Sequence, residues 1–244
     1  MSRTAMEWLP GSSAPVLSAA LLARIHELNL DYLELLTAEH TSAGSAVQLQ
    51  YLPQQLVTAI VSLVAPARRC LAGTPYTLYS LGFEDEGFWR AACQKDVQPV
   101  AQRYASANAA WLQGPFCEVA LLHAWHVATS SPLAARVLYA MPETTANRLA
   151  ATSLWRIKRI ANDYPALLTP RWPTNPGFWP DLLRFAKSND MQRLALAQLL
   201  GSQLIAAELE HATAHSGPGK RTPLRLLQSP RLRARKLRFE VRVR

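Results

Sequence analysis

Between Ser131 and Asp163 the chain reads SPLAARVLYAMPETTANRLAATSLWRIKRIAND, and it cannot be one helix. Pro142 has no N–H to give and its ring clashes with the turn before it, so a helix entering at Ser131 stops at Met141. Ser131-Pro132 is an N-cap followed by proline at the first helical position. Leu133, Val137 and Leu138 are expected to share its buried face. Pro142-Glu143 opens a second helix anchored by Leu149. Thr152-Ser153 caps a third, whose Leu154, Trp155, Ile157 and Ile160 point inward and leave Arg156, Lys158 and Arg159 outward. Three short helices with a basic last one outline a helix-turn-helix nucleic-acid reader. A compact helical corner inside a larger all-α domain has the same outline.

The rest of the chain is also helical by period. Leu17, Leu21, Ile25, Leu28, Tyr32, Leu35 and Leu36 recur at helical spacing from about Pro15 to Glu39. A second helix is expected from about Leu52 to Val64, with Pro53 in its first turn; it is apolar on most sides from Leu56 on, which predicts a central buried helix ended by Pro66. Tyr76 to Phe83, YTLYSLGF, alternates and reads as a short strand or extended segment. Helices follow through Trp89, over about 97–112, and over 116–128. Residues 164–180 carry five prolines and two tryptophans, so they form a rigid irregular loop. Short and long helices are expected over Asp181–Lys187 and Asp190–His215. The fold class is therefore all-α, with about eight to ten helices. The layout is a lead-in at 1–12 and a helical region at 13–217, followed by a tail at 218–244. The helical region divides into 13–112, a candidate helix-turn-helix part at 115–163, and 164–217.

Net charge is confined to the end. Residues 218–244 hold ten Lys and Arg against Glu240 alone, which equals the +9 of the whole chain and leaves 1–217 neutral. Attraction to DNA would reside in this tail, at Arg231, Arg233, Arg235, Lys236 and Arg238, and would fall with salt. Leu237, Phe239, Val241 and Val243 alternate with cations there, a period that suits a strand added to a partner.

At Ile25–Leu33, IHELNLDYL resembles the first helix of the FlhD-type flagellar master transcription regulators. The matching features are Ile25, Leu28, Asn29, Leu30 and Tyr32-Leu33. The similarity continues through LVTAIVSLVAPARRCLAGTPYTLYSLGF (Leu56–Phe83) and covers roughly the first third of the chain. It implies a helical protein acting in transcription activation with a zinc-binding FlhC-type partner, and a dimerising N-terminal part. It transfers no contact residue. This chain is longer, and it lacks the paired cysteines of that partner.

Chemistry-bearing patterns are sparse. His123 with His126, and His211 with His215, have helical spacing that could seat a metal, but no third ligand is signalled, so no metal and no cofactor are expected. Glu84-Asp85-Glu86 suits the start of a helix at Gly87–Arg90. There is no Gly-rich phosphate loop, nucleophile elbow or H-E-x-x-H, so no enzyme and no small-molecule substrate are expected. Cys70, Cys93 and Cys117 have neither disulfide nor zinc spacing. The N-terminus lacks a signal-peptide core and the longest apolar run is too short for a bilayer, so a cytoplasmic protein without membrane contact is expected. Two functions remain. One is a DNA-associated transcriptional regulator reading with Arg148, Arg156, Lys158 and Arg159. The other is an interaction adaptor, with a protein partner or a second copy held by Trp172, Phe178, Trp179 and Tyr32.

Overall fold

A computed structural model describes residues 17–42, 52–94 and 112–216. The lead-in, the basic tail and all but the last residue of the helix expected over 97–112 lie outside these residues. The described part is all-α. It has ten α-helices and one two-residue β-ladder. The first four helices are α1 (Ala19–Ser42), α2 (Gln54–Val61), α3 (Ala65–Ala72) and α4 (Glu86–Cys93). Between α3 and α4 the extended segment Tyr76–Phe83 runs through the core and carries strand β1 (Tyr79–Ser80).

α5 (Gln113–Ser130) is the central post of the second half. α6 (Pro132–Tyr139), α7 (Glu143–Ala151) and α8 (Leu154–Asp163) all pack on it, in the places the prolines and caps predict. Ser131 Oγ accepts from the N–H of Ala134, the expected N-cap bond. The inward faces differ from expectation. α5 presents Ala120, Ala124 and Ala128, and α6 turns Ala134 and Ala135 toward the core beside Leu138. Helices meeting on alanines approach too closely for larger side chains, so Leu133 and Val137 face outward. α2 is likewise buried on one face only, at Val57 and Ile60.

After a 3₁₀ turn at Pro165–Leu167, strand β2 (Thr169–Pro170) pairs antiparallel with β1, Tyr79 opposite Pro170 and Ser80 opposite Thr169. α9 (Phe178–Ser188) starts earlier than the period suggests, because Asn175 Oδ1 accepts from the N–H groups of Gly177 and Phe178 at 3.0 Å. α10 (Met191–Ser216) packs along α9.

One buried asparagine ties α1 to the extended segment. Asn29 Nδ2 donates to Ala72 O (3.2 Å), Thr74 Oγ1 (2.9 Å) and Tyr76 O (2.8 Å), and its Oδ1 accepts from the Leu78 N–H (2.8 Å). Of the other residues behind the FlhD-type resemblance, Ile25, Leu28, Tyr32 and Leu33 are buried. Among the described residues no single helix is long and apolar enough to cross a membrane.

Candidate functional site

The basic helix α8 does not present its cations as a free set. Arg156 reaches back to the end of α4, its Nε donating to Ala92 O at 2.7 Å and Nη2 to Gln94 O at 2.9 Å. Those are carbonyls at the end of the helix, which lack partners within it, and a guanidinium there works as a cap. Lys158 pairs with Glu118 at 3.1 Å and Arg159 with Asp163 at 3.4 Å. Solvent-exposed pairs of this kind contribute about 0.2–1 kcal/mol, so a phosphate can compete for them; Arg156 is structural. Arg148 lies on α7 and lines a cleft. The sequence therefore groups four cations to which the fold gives different tasks. Trp155, expected inside, is 77% exposed.

Replacing Arg156 by alanine should cost about 2 kcal/mol in urea unfolding, because two charge-assisted bonds to α4 are lost. Lysine should recover less than half, since one ammonium does not reproduce a planar two-pronged donor. Wild-type stability in both variants would show that the guanidinium is free for another use.

The aromatic residues proposed as partner anchors are mostly core. Tyr32, Phe178 and Trp179 are buried, so they are not available to a partner of this fold. Trp179 Nε1 donates to Arg171 O at 2.7 Å, and the Phe178 ring stands edge-on to Trp172, with centroids 4.6 Å apart. Only Trp172 of the four keeps a partly open surface, and its indole N–H donates to Glu208. Arg231, Arg233, Arg235, Lys236 and Arg238 lie outside the described residues. His123 Nδ1 is 2.6 Å from Tyr139 Oη, and burial lowers its pKa to about 4, so it is a neutral hydrogen-bonding group at physiological pH. His211 lies on the cleft wall.

That cleft has a volume of about 1100 Å³ and is built from widely separated parts of the chain. Ser80 and Glu84 come from the extended segment and the turn after it, Tyr139 and Ala140 from the end of α6, and Arg148 from α7. Arg171 and Trp172 come from the loop after β2, and Glu208 and His211 from α10. Its base is Arg171, which is 3% exposed. No family model, no curated protein and no solved structure matches this chain.

Sequence reasoning missed this cleft because its members share no motif. Arg171 sits between Pro170 and Trp172 in a stretch that reads only as an irregular loop, and Glu208 is one of several acids on a long helix. The ladder of β1 and β2 sets Arg171 against the extended segment, and the bond from the Trp172 indole to Glu208 ties α10 to it. Two carboxylates, Glu208 and Glu84, sustain the charge of Arg171, which burial otherwise opposes.

Proposed function

We propose that this chain is a non-enzymatic helical regulatory protein that works by association, and that the outer face of α10 is its contact surface with a second copy of the chain. The observation that carries this reading is a charge-free helix open to solvent. From Leu194 to Ala207, LALAQLLGSQLIAA, there is no charged residue, and Leu196, Leu199 and Leu200 are all more than half exposed. A helix face that stays in water normally carries charged side chains. Nearly four turns without one, with leucines at i, i+3 and i+4, form a face that gains by being covered. A two-fold contact places the same patch on both sides, and a patch without charge does so without repulsion. Beside Leu200, a groove of about 240 Å³ between α9 and α10, rimmed by Asn175, Gln203 and Leu204, can receive a side chain from the facing copy.

The test is the mass of the full chain in solution by analytical ultracentrifugation. A dimer is expected at micromolar concentration, and Leu199→Glu should make it monomeric while leaving monomer stability within about 0.5 kcal/mol, as for an exposed position. A wild-type chain that stays monomeric at its highest soluble concentration sinks the reading.

A second reading, a DNA-associated transcriptional regulator, is favoured by the charge of residues 218–244, and the FlhD-type resemblance points the same way. Fluorescence anisotropy across a salt series, on the full chain and on a chain ending at Gly217, separates its forms. Affinity kept by the shorter chain supports reading by the helical part, with Lys158 and Arg159 as contacts. Affinity lost with the tail reduces it to polycation binding.

A further inference from the structure

The cleft over Arg171 has orphan donors at its base. A guanidinium carries five N–H donors. Nη2 of Arg171 donates to Thr77 Oγ1 at 2.9 Å and to Tyr79 O at 3.4 Å, fixing the side chain to the extended segment. Nε and Nη1 are buried and have no hydrogen-bond partner among the described residues. A buried charged donor left unpaired is costly, so such groups are satisfied by something. Two more orphans line the same cleft, Arg148 Nη1 and Thr144 Oγ1.

Backbone strain converges on the same place. Three non-glycine residues among those described have positive φ, and two of them, Ala140 (φ 51°) and Trp172 (φ 47°), line the cleft. Neither an alanine nor a tryptophan adopts that region cheaply; each costs on the order of 1–3 kcal/mol, and such strain gathers where a ligand is held. Ala140 closes α6 as Asn189 closes α9, the ordinary way a helix ends, so Trp172 is the position whose strain no helix end explains.

The lining also has a definite charge. Arg90, Arg148 and Arg171 are matched by Glu84, Glu86 and Glu208, so the arginines and carboxylates of the wall balance. A bare anion would leave one negative charge in excess in a partly desolvated space. A molecule carrying both signs leaves none.

We propose that the cleft binds a small zwitterion of the amino-acid class, its carboxylate held by Arg171 and Arg148, its ammonium by Glu84 and Glu208, and its side chain lying against Trp172. Arginine suits the carboxylate because its planar fork matches it, and the orphan Nε–H and Nη1–H supply the donors. The site is separate from the α10 contact face and does not depend on it.

The experiment is a thermal-shift screen of the full chain against the twenty L-amino acids, followed by calorimetry. Each hit is repeated as its N-acetyl derivative, which lacks the ammonium, and as its α-amide, which lacks the carboxylate. At a concentration ~100 times Kd, binding should raise Tm by about 5–10 °C for a chain of this size. Both derivatives should fail to do so. Arg148→Gln, at a half-buried position that leaves the core intact, should weaken binding about tenfold or more without changing the melting behaviour of the free protein. Glu208→Gln should do the same through the ammonium. The proposal is overturned if no amino acid binds, if the N-acetyl derivative binds as tightly as the parent, or if Arg148→Gln binds with wild-type affinity.

Discussion

Replacing Asn29 by leucine is expected to remove about 4 kcal/mol of stability, the largest effect of any single change considered for this chain. Leucine has nearly the same size, so packing survives and polar satisfaction is what changes. The side chain of Asn29 makes four hydrogen bonds, all to residues more than forty positions away. Tyr76 O keeps a second donor, Thr74 Oγ1 at 2.9 Å. The Leu78 N–H and Ala72 O lose the bonds that Asn29 gave them. Each buried group left without a partner costs about 1–3 kcal/mol. Against the 5–15 kcal/mol typical of folded domains, that is a large fraction. Asn29→Asp should be nearly as damaging, because it keeps an acceptor for Leu78 but brings a charge and no donor for the carbonyls. Urea unfolding with an unchanged m-value measures it. A loss below about 1 kcal/mol in Asn29→Leu would show that water enters and replaces the amide.

The second large effect runs against helix propensity. Gly201 lies inside α10, and in an exposed helix alanine would be better there by about 1 kcal/mol. Here a Cβ would overlap Oη and Cζ of Tyr76 and stand 3.0 Å from Phe178 Cε2. Tyr76 cannot swing away, since its ring is buried and its hydroxyl donates to Gln198 O at 3.0 Å. Overpacking of this kind costs about 1–3 kcal/mol and more where the neighbour is fixed, so Gly201→Ala should lose ~3 kcal/mol net. Adding Tyr76→Phe removes the hydroxyl but leaves the ring carbon in the way, so the double variant should recover only part. Thermal unfolding of the three proteins settles it. Stabilisation by Gly201→Ala would mean that α10 is free to shift outward along α9.

The course of the helices was readable because its signals are local. Pro132, Pro142 and the caps at Ser131 and Ser153 delimit α6, α7 and α8 within a residue or two of where they lie. Their orientation was not readable. Hydrophobic period weighs side chains by size, so it turns Leu133, Val137 and Trp155 inward, whereas close contact with α5 admits Ala134 and Ala135 instead. Nor does periodicity tell a cation that caps another helix from one that faces solvent, which is why it groups Arg156 with Lys158 and Arg159. The Trp-Pro loop carried both possibilities in its composition, cover for the core or surface for a partner, and burial of Phe178 and Trp179 decides for the core. The cleft was least legible, because it depends on pairing between segments with no sequence relation to each other.

That pairing has a kinetic side. Arg171 and Thr77, joined at the end of the β1–β2 ladder, are 94 positions apart. Closing so long a loop is entropically unfavourable until its contacts form, whereas the α5–α8 helices enclosed by it meet their neighbours locally. The helical pairs should therefore assemble first and the arginine should seat last. Refolding followed at Trp172 would then lag behind refolding followed by helical signal, and the cleft would come into being only in the final step.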